Sequence, residues 1–259
     1  MSDADFLSVT EVRGDEVTRE QVERACHRYH WAGCHCRGKA VLEAACGTGQ
    51  GLGLLSGLSA SLLAGDFSLG LLRLAAGRYG GRVPMLRFDA QQLPLRDGSV
   101  DVIVLLEAIY YLVDACGFTD ECRRALRRPG VLLLATANKD LYDFAPSPHS
   151  HRYFGVPELA ELLAERGFDV ECFGAFPIGM ASLRQRVLRP VKKAAVVLNL
   201  MPATMAGKKL LKRLVFGGLV PMPADVSEVE YDYVQPTALP LDRPDRQHQV
   251  IYCAGTLTR

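Results

Sequence analysis

Two glycines and two acidic residues near the start of the chain could bind a nucleoside cofactor. Gly47 and Gly49 follow the apolar run 41–45, and residues without a Cβ atom let the backbone turn tightly and approach a ligand closely. Glu43 lies within that run, and Asp66 lies 23 residues after Glu43. An acid that ends the second strand of a β-α-β unit can accept hydrogen bonds from both hydroxyls of a ribose. The alternative role for Asp66 is the N-cap of the helix that follows.

Three other residues, which lie later in the chain, could act in proton transfer. Glu107 ends a long apolar run, and His149 and His151 lie in the polar, aromatic segment 138–153 that follows another. In open α/β sheets, ligands bind outside the carboxyl ends of the strands, and loops there often carry function. We therefore take the two histidines and Glu107 as candidates for a general base. The alternative for the histidines is a surface position in a loop.

Alternating apolar runs and helical patterns must position these residues. Strands are predicted near 40–45, 61–66, 84–88, 101–106, 131–137, 168–173 and 249–257, and helices near 19–30, 50–58, 69–78, 118–127 and from Pro157. Nearly unbroken apolar strands that alternate with helices indicate a parallel sheet covered on both faces. The predicted fold is α/β: a Rossmann-like, seven-stranded, mostly parallel sheet with helices on both faces. A helical insertion is predicted between the sixth and seventh strands.

Several stretches, taken in order, resemble class I S-adenosylmethionine-dependent methyltransferases. They are VLEAACGTGQG at 41–51, DFS at 66–68, DAQQLPLRDGSVD at 89–101, VIVLLEAIYY at 102–111 and RRPG at 127–130. The resemblance is to the group that includes ubiquinone and menaquinone C-methyltransferases, and it covers about residues 38–175. It implies S-adenosylmethionine as the cofactor and S-adenosylhomocysteine as the product.

The resemblance also implies roles for single residues. Glu43 would face the methionine amino group, and Tyr29 would touch the same end of the cofactor. Asp66 would hold the ribose hydroxyls, whereas Phe67 and Asp89 would contact adenine. The full set of implied cofactor-binding residues is Tyr29, Glu43, Ala45, Cys46, Gly47, Gly49, Asp66, Phe67, Asp89, Ala90, Gln91 and Leu106.

Three tyrosines are candidates for the acceptor pocket. Tyr110 and Tyr111 stand where members of the group often carry a histidine pair, which suggests an aromatic wall instead. Because Ile109 alternates with them, we expect only one of the two to face the pocket, with core packing as the alternative. Tyr153 is the third candidate.

Net charge, apolar patterning and cysteine spacing limit the possible ligands and the location of the protein. The net charge of +1 over 259 residues creates no overall field that would favour nucleic acid. No uncharged apolar stretch approaches the roughly 18 residues that predict a membrane-spanning helix, and the acidic start lacks a signal-peptide pattern. We therefore expect a cytoplasmic protein with reduced cysteines. The cluster Cys34-His35-Cys36 is too tightly spaced for a standard zinc site, so no metal is expected.

Three regions are predicted along the chain. They are an N-terminal helical lid at 1–37, a cofactor-binding domain at 38–174 and 248–259, and an inserted helical cap at 175–247. Nine arginines and lysines lie within 184–213, and no acid occurs from 172 to 224. Solvated faces of amphipathic helices would explain this charge. The alternative is a surface for an anionic or lipid-linked acceptor, or for peripheral contact with a membrane.

The sequence thus predicts methyl transfer from S-adenosylmethionine to a small molecule or to a lipid- or sugar-linked metabolite. Whether oxygen, nitrogen or carbon is methylated stays open. One alternative is an NAD-dependent Rossmann oxidoreductase, although Leu52 stands at the last position of its Gly-x-Gly-x-x-Gly turn. Another is a subunit that binds S-adenosylmethionine without catalysis.

Overall fold

A computed structural model describes residue 6 and residues 9–178 and 218–258 of the chain. The strands are β1 (Glu16–Thr18), β2 (Ala40–Ala44), β3 (Ser61–Asp66), β4 (Met85–Arg87), β5 (Val100–Leu106), β6 (Leu126–Ala137), β7 (Asp169–Pro177), β8 (Leu219–Pro221), β9 (Thr237–Leu239) and β10 (His248–Leu257). The helices are α1 (Arg19–Cys36), α2 (Leu52–Leu58), α3 (Leu69–Tyr79), α4 (Ala115–Ala125) and α5 (Val156–Ala164).

The main sheet has the strand order β4-β3-β2-β5-β6-β10-β7-β9. Strands β2 to β6 pair in parallel, whereas β10 lies antiparallel between β6 and β7. Two buried apolar clusters cover the sheet, and the α/β class is confirmed. The chain leaves β2 toward β3 and β4 on one side and returns to β5 and β6 on the other. This reversal opens a crevice at the carboxyl ends of β2 and β5.

The sheet contains one strand more than the seven predicted. The additional strand, β9, pairs antiparallel with β7 at the edge of the sheet. It has only three residues and two of them are exposed, so it lacks the apolar run by which the other strands were recognised. A separate two-stranded sheet joins β1 to β8.

Helix α1 begins as predicted but ends six residues later than expected. The Thr18 hydroxyl accepts a hydrogen bond from the Gln21 N–H (3.2 Å), and the Gln21 side chain accepts one from the Thr18 N–H (3.0 Å). This reciprocal capping box sets the start of the helix. The helix continues because its last turns are buried: Trp31 stacks on Tyr252 with 4.6 Å between ring centroids, and Cys36 is fully buried.

The residues predicted as an inserted cap are described only at their two ends. The middle of the predicted helical cap, with the nine basic residues within 184–213, lies outside the described ranges. After them, Asp225 is buried, accepts a hydrogen bond from the Gly53 N–H at 2.8 Å and another from the Tyr79 hydroxyl. The segment around Asp225 therefore packs on α2 and α3, while the division into three regions stays a prediction. Within the described ranges, no helix is long and apolar enough to cross a membrane.

Gly51 is required by the packing of α1 on the glycine-rich turn. A Cβ atom at Gly51 would overlap the buried ring of Tyr29, whose hydroxyl is held by Glu43. We expect Gly51→Ala to lower the free energy of unfolding by about 1–3 kcal/mol, because the ring must move. Thermal and urea denaturation would measure this change.

Gly57 offers the matched control for that substitution. It lies in α2, only six residues away, and a Cβ there would meet nothing within 4 Å. Gly57→Ala should therefore stabilise the protein by about 0.5–1 kcal/mol through the lower entropy of its unfolded chain. Equal effects of the two substitutions would contradict the packing of Tyr29 on Gly51.

Candidate active site

A cavity of about 460 Å³ lies in the crevice at the carboxyl ends of the parallel strands. The ends of β2, β3, β5 and β6 contribute to it, as do α1 and the residues that precede α1. Of the residues predicted to bind a cofactor, ten line this cavity: Tyr29, Ala45, Cys46, Gly47, Asp66, Phe67, Asp89, Ala90, Gln91 and Leu106. Glu43 and Gly49 lie behind the lining.

The glycine-rich turn and Asp66 are held together by backbone hydrogen bonds. The Gly47 N–H donates to Oδ2 of Asp66 (2.9 Å) and the Ser68 N–H donates to Oδ1 (2.8 Å). Ser68, whose hydroxyl accepts from the Leu71 N–H, is the N-cap of α3. The alternative role of Asp66 as the N-cap is therefore wrong, and its carboxylate is fixed at the cavity wall.

The turn itself uses left-handed backbone conformations. Gly47 and Gly49 have φ of 58° and 80°, and Ala45 has φ of 55°. A Cβ at Gly49 would also lie 2.9 Å from the Leu52 side chain, so both conformation and space require glycine there. Ala45 adopts a conformation that favours glycine, so the turn holds a residue with a Cβ atom in the left-handed region.

Glu43 is the most unusual polar residue near the cavity. It is 1% exposed, and its Oε1 accepts a hydrogen bond from the Tyr29 hydroxyl at 2.7 Å. Its Oε2 has no hydrogen-bond partner among the residues that the structure describes. Burial raises the pKa of Glu43 to about 8, although the Tyr29 hydroxyl and the charge of Arg28 act in the opposite direction. A buried carboxylate oxygen without a donor is unfavourable, so the site lacks a donor or a cation at this atom.

One end of the cavity presents a flat aromatic face beside carboxylates. The Phe67 side chain is 41% exposed, with the Arg87 guanidinium 5.7 Å from its centroid. Phe6 lies 5.8 Å from the same ring. Asp89 is oriented by Gln91, whose N–H donates to Oδ1 at 2.9 Å and whose side-chain amide donates to both oxygens. These groups could contact a purine ring and its exocyclic amine.

The other end of the cavity contains Glu107 and two tyrosines. Strand β5 ends at Leu106, and Glu107 has φ of 55°, so the chain enters a 3-10 turn at Ile109–Tyr111. Both Tyr110 and Tyr111 line the cavity, and the expectation that only one would do so is wrong. A turn separates neighbouring side chains by about 120°, whereas the assumed strand would have placed them on opposite faces.

Hydrogen bonds orient this aromatic group. The Tyr110 hydroxyl donates to Glu107 Oε2 at 3.2 Å, and the hydroxyls of Tyr111 and Ser147 are 2.6 Å apart. Burial and the charge of Glu107 raise the pKa of Tyr110 well above its ordinary value, so its hydroxyl stays protonated. Tyr153 is not part of the lining, since its ring stacks on Tyr110 at 4.3 Å and supports it from behind.

The two histidines that were taken as candidate bases separate in space. His151 lines the cavity, and its backbone N–H donates to the Tyr110 carbonyl at 2.7 Å. His149 is exposed, has φ of 66° and is absent from the lining. His151 is exposed as well, and of the two histidines only His151 lies at the cavity.

Several residues of the lining were not predicted. They are Phe6, Val9, Thr10, Glu11, Gln21, Arg24, Arg28, Thr48, Gln50, Leu71, Phe88, Ala108, Leu112, Val113, Ala137 and Val250. Helical spacing could have identified three of them, because Gln21, Arg24 and Arg28 share one face of α1 with i, i+3 and i+7 spacing. The others depend on long-range packing.

In sequence, the chain is similar to proteins described as methyltransferases. Residues 42–134 match a family described as a methyltransferase domain. A probable S-adenosylmethionine-dependent methyltransferase of Mycolicibacterium smegmatis is 35% identical over 63% of this chain and 63% of that protein. A demethylmenaquinone methyltransferase of Clavibacter sepedonicus is 31% identical over 38% of this chain and 40% of that protein. The chain thus spans less than two thirds of the length of these curated relatives.

The fold is also shared with solved structures. A SAM-dependent methyltransferase from Archaeoglobus fulgidus superposes with a TM-score of 0.56 at 16% identity, covering 92% of this chain and 94% of that chain. At this level of identity the similarity concerns the fold alone.

Proposed function

We propose that the chain is a class I S-adenosylmethionine-dependent methyltransferase that methylates a small-molecule acceptor; the matches to a methyltransferase domain and to a probable S-adenosylmethionine-dependent methyltransferase support this. The unpartnered oxygen of Glu43 beside the fixed carboxylate of Asp66 is the observation that carries the proposal. The Glu43 oxygen needs a cation or a hydrogen-bond donor. The Asp66 carboxylate presents an acceptor to hydroxyls across the glycine-rich turn. An amino-acid end and a ribose within one ligand would satisfy both.

The lining fits S-adenosylmethionine at each of its three parts. Glu43, which lies behind the lining, would accept from the methionine ammonium directly or through water, with Tyr29 holding the carboxylate in place. Asp66 would accept from the ribose hydroxyls. Phe67 would pack on adenine, and Asp89 would accept from the adenine amine. When bound, the cofactor supplies a methyl group on a sulfonium, which is already activated toward displacement.

The protein then has to align the acceptor and exclude water. Tyr110 and Tyr111 would form the wall against which the acceptor lies, next to Glu107 at the end of β5. An oxygen or carbon acceptor must also lose a proton, and His151 and Glu107 are the bases at the cavity. We place His151 first, because the Glu107 carboxylate already accepts a hydrogen bond from Tyr110.

Turnover tests this proposal. Purified protein would be incubated with S-adenosylmethionine carrying a labelled methyl group and with panels of phenols, quinols, amines and carboxylic acids. Label in a product, together with formation of S-adenosylhomocysteine, would support methyl transfer. Binding of the cofactor without turnover of any panel would favour the non-catalytic subunit instead.

Substitution of the histidines separates the base from a surface residue. We expect His151→Gln to lower kcat about 100-fold or more for an oxygen or carbon acceptor, since a general base contributes roughly 10²–10⁴-fold. His149→Gln is the control and should leave kcat within a factor of about two, since His149 is outside the cavity. Equal losses in the two variants would contradict the assignment of His151.

A further inference from the structure

Arg28 is a partly buried cation in the cavity that has no anion beside it. It lines the cavity on α1, and its Nε is buried without an acceptor in the described part of the chain. No ion pair joins it to a described residue, and the centroid of the Tyr29 ring lies 5.9 Å from the guanidinium carbon. Withdrawing a charge from water is strongly unfavourable unless an opposite charge compensates it.

The surroundings of Arg28 keep it charged without neutralising it. Burial disfavours the charged form, but the fields of Glu107, Tyr29 and Glu11 raise the pKa of Arg28 above its ordinary value. Arg28 is therefore a cation at every accessible pH. The carboxylates of Glu107 and Glu11 act on it at a distance and leave its donors open to a ligand.

Arg24, one helical turn earlier, adds a second positive charge to the same wall. Its guanidinium is fixed by Glu20 at 2.6 Å and by the side chain of Gln249, and it lies 5.9 Å from the Phe176 ring. The Arg24 Nη2 thus has protein partners, although its Nε, like that of Arg28, is buried without an acceptor. Among the described residues, Arg28 has no comparable side-chain partner. A ligand anion in this corner would meet Arg28 directly and Arg24 through its field.

We propose that Arg28 binds the carboxylate or phosphate group of a ligand in this cavity. A guanidinium presents paired donors that match two oxygens of such an anion. Two ligands could bring the anion: the amino-acid end of the cofactor or an anionic acceptor held near Glu107 and Tyr110. The second source rests on the proposed function, while the anion chemistry of Arg28 does not.

The test compares Arg28→Gln and Arg28→Lys with a control on the same helix. Arg19→Gln removes one charge from α1 at a side chain that is 85% exposed. The full chain would be titrated calorimetrically with S-adenosylhomocysteine and with its decarboxylated analogue. In parallel, the melting temperature would be measured in inorganic phosphate or acetate and compared with that in chloride at equal ionic strength. Each measurement would be made with the free chain and with the chain saturated with S-adenosylhomocysteine. Cooperative melting of each variant would show that it is folded.

Two results support the proposal and identify the source of the anion. If the cofactor brings it, Arg28→Gln weakens binding of S-adenosylhomocysteine about 10–100-fold and leaves the decarboxylated analogue unchanged. If the acceptor brings it, binding of S-adenosylhomocysteine is unchanged, but the stabilisation by phosphate or acetate is lost. In either case Arg28→Lys retains part of the effect and Arg19→Gln resembles the unaltered chain.

The proposal is overturned if Arg28→Gln behaves like Arg19→Gln in every titration and every melting experiment. Failure of the proposed function gives a different pattern. The unaltered chain would then not bind S-adenosylhomocysteine, while phosphate or acetate would still raise the melting temperature of the free protein through Arg28.

Discussion

Asp66→Ala is expected to weaken binding of S-adenosylhomocysteine at least about 100-fold. The carboxylate would lose charge-assisted hydrogen bonds to the ribose hydroxyls, each of which contributes roughly 1.5–3 kcal/mol. It would also cease to accept from the Gly47 N–H, which it holds at 2.9 Å, so the glycine-rich turn would loosen. Calorimetric titration with S-adenosylhomocysteine, and separately with NADH, would measure the loss and test the oxidoreductase alternative.

Two further variants isolate the ribose contact. Asp66→Asn keeps an oxygen for one backbone N–H but removes the charge, and we expect an intermediate loss of about tenfold. Asp101→Ala removes an acid at the opposite end of β5 that accepts from the Ala40 N–H at 2.7 Å and pairs with Arg127 at 3.0 Å. It should lower stability and leave affinity unchanged. Binding of NADH by the unaltered chain would contradict the prediction, as would full affinity in Asp66→Ala.

The positions that a local motif brings to the cavity could be predicted from sequence. The turn at Gly47 and Gly49 and the acid at Asp66 are set by neighbouring strand ends of one β-α-β unit. Their spacing along the chain therefore fixes their proximity in space. The same holds for Asp89 and Leu106, because the carboxyl ends of parallel strands meet at one edge of the sheet.

Positions that depend on contacts between distant segments could not be predicted. Asp225 caps α2 through Gly53, 172 residues away in sequence, and nothing near Asp225 in the chain indicates this. The end of β5 was predicted at 106, but the apolar residues that follow do not indicate the positive φ of Glu107 or the 3-10 turn at Ile109–Tyr111. The spacing of Arg28 with Gln21 and Arg24 places the three on one face of α1, but only the packing of α1 on the crevice shows that this face lines the cavity.

The pH dependence of cofactor binding is expected to follow Glu43. Its pKa of about 8 means that the folded, ligand-free protein carries this carboxyl protonated at pH 6–7. An ammonium group bound beside it would favour the carboxylate, so binding releases the proton. Affinity for S-adenosylhomocysteine should therefore rise by up to about tenfold per pH unit between pH 6 and 8 and level off above. Calorimetry in buffers of different ionisation enthalpy would detect about one proton released.

Glu43→Gln should abolish this dependence. The amide is close in size to a protonated carboxyl, so the variant and the unaltered chain should bind similarly at pH 6. They should differ by about 100-fold at pH 8, where only the unaltered chain carries the charge. Tyr29→Phe is the complementary variant, since loss of the 2.7 Å hydrogen bond that lowers the pKa of Glu43 should move the rise in affinity to higher pH.

Stability of the ligand-free protein should show the opposite trend, and this separates Glu43 from other titrating groups. A carboxyl whose folded pKa is raised from 4.5 to about 8 binds more protons in the folded than in the unfolded state over this interval. Its contribution is therefore complete below pH 4.5 and is lost as pH rises to 8, by a few kcal/mol in total. Glu43→Gln should flatten this part of the stability curve and be more stable than the unaltered chain at pH 8. If the variant keeps the same slopes in both stability and affinity, another group titrates and Glu43 does not face the ammonium.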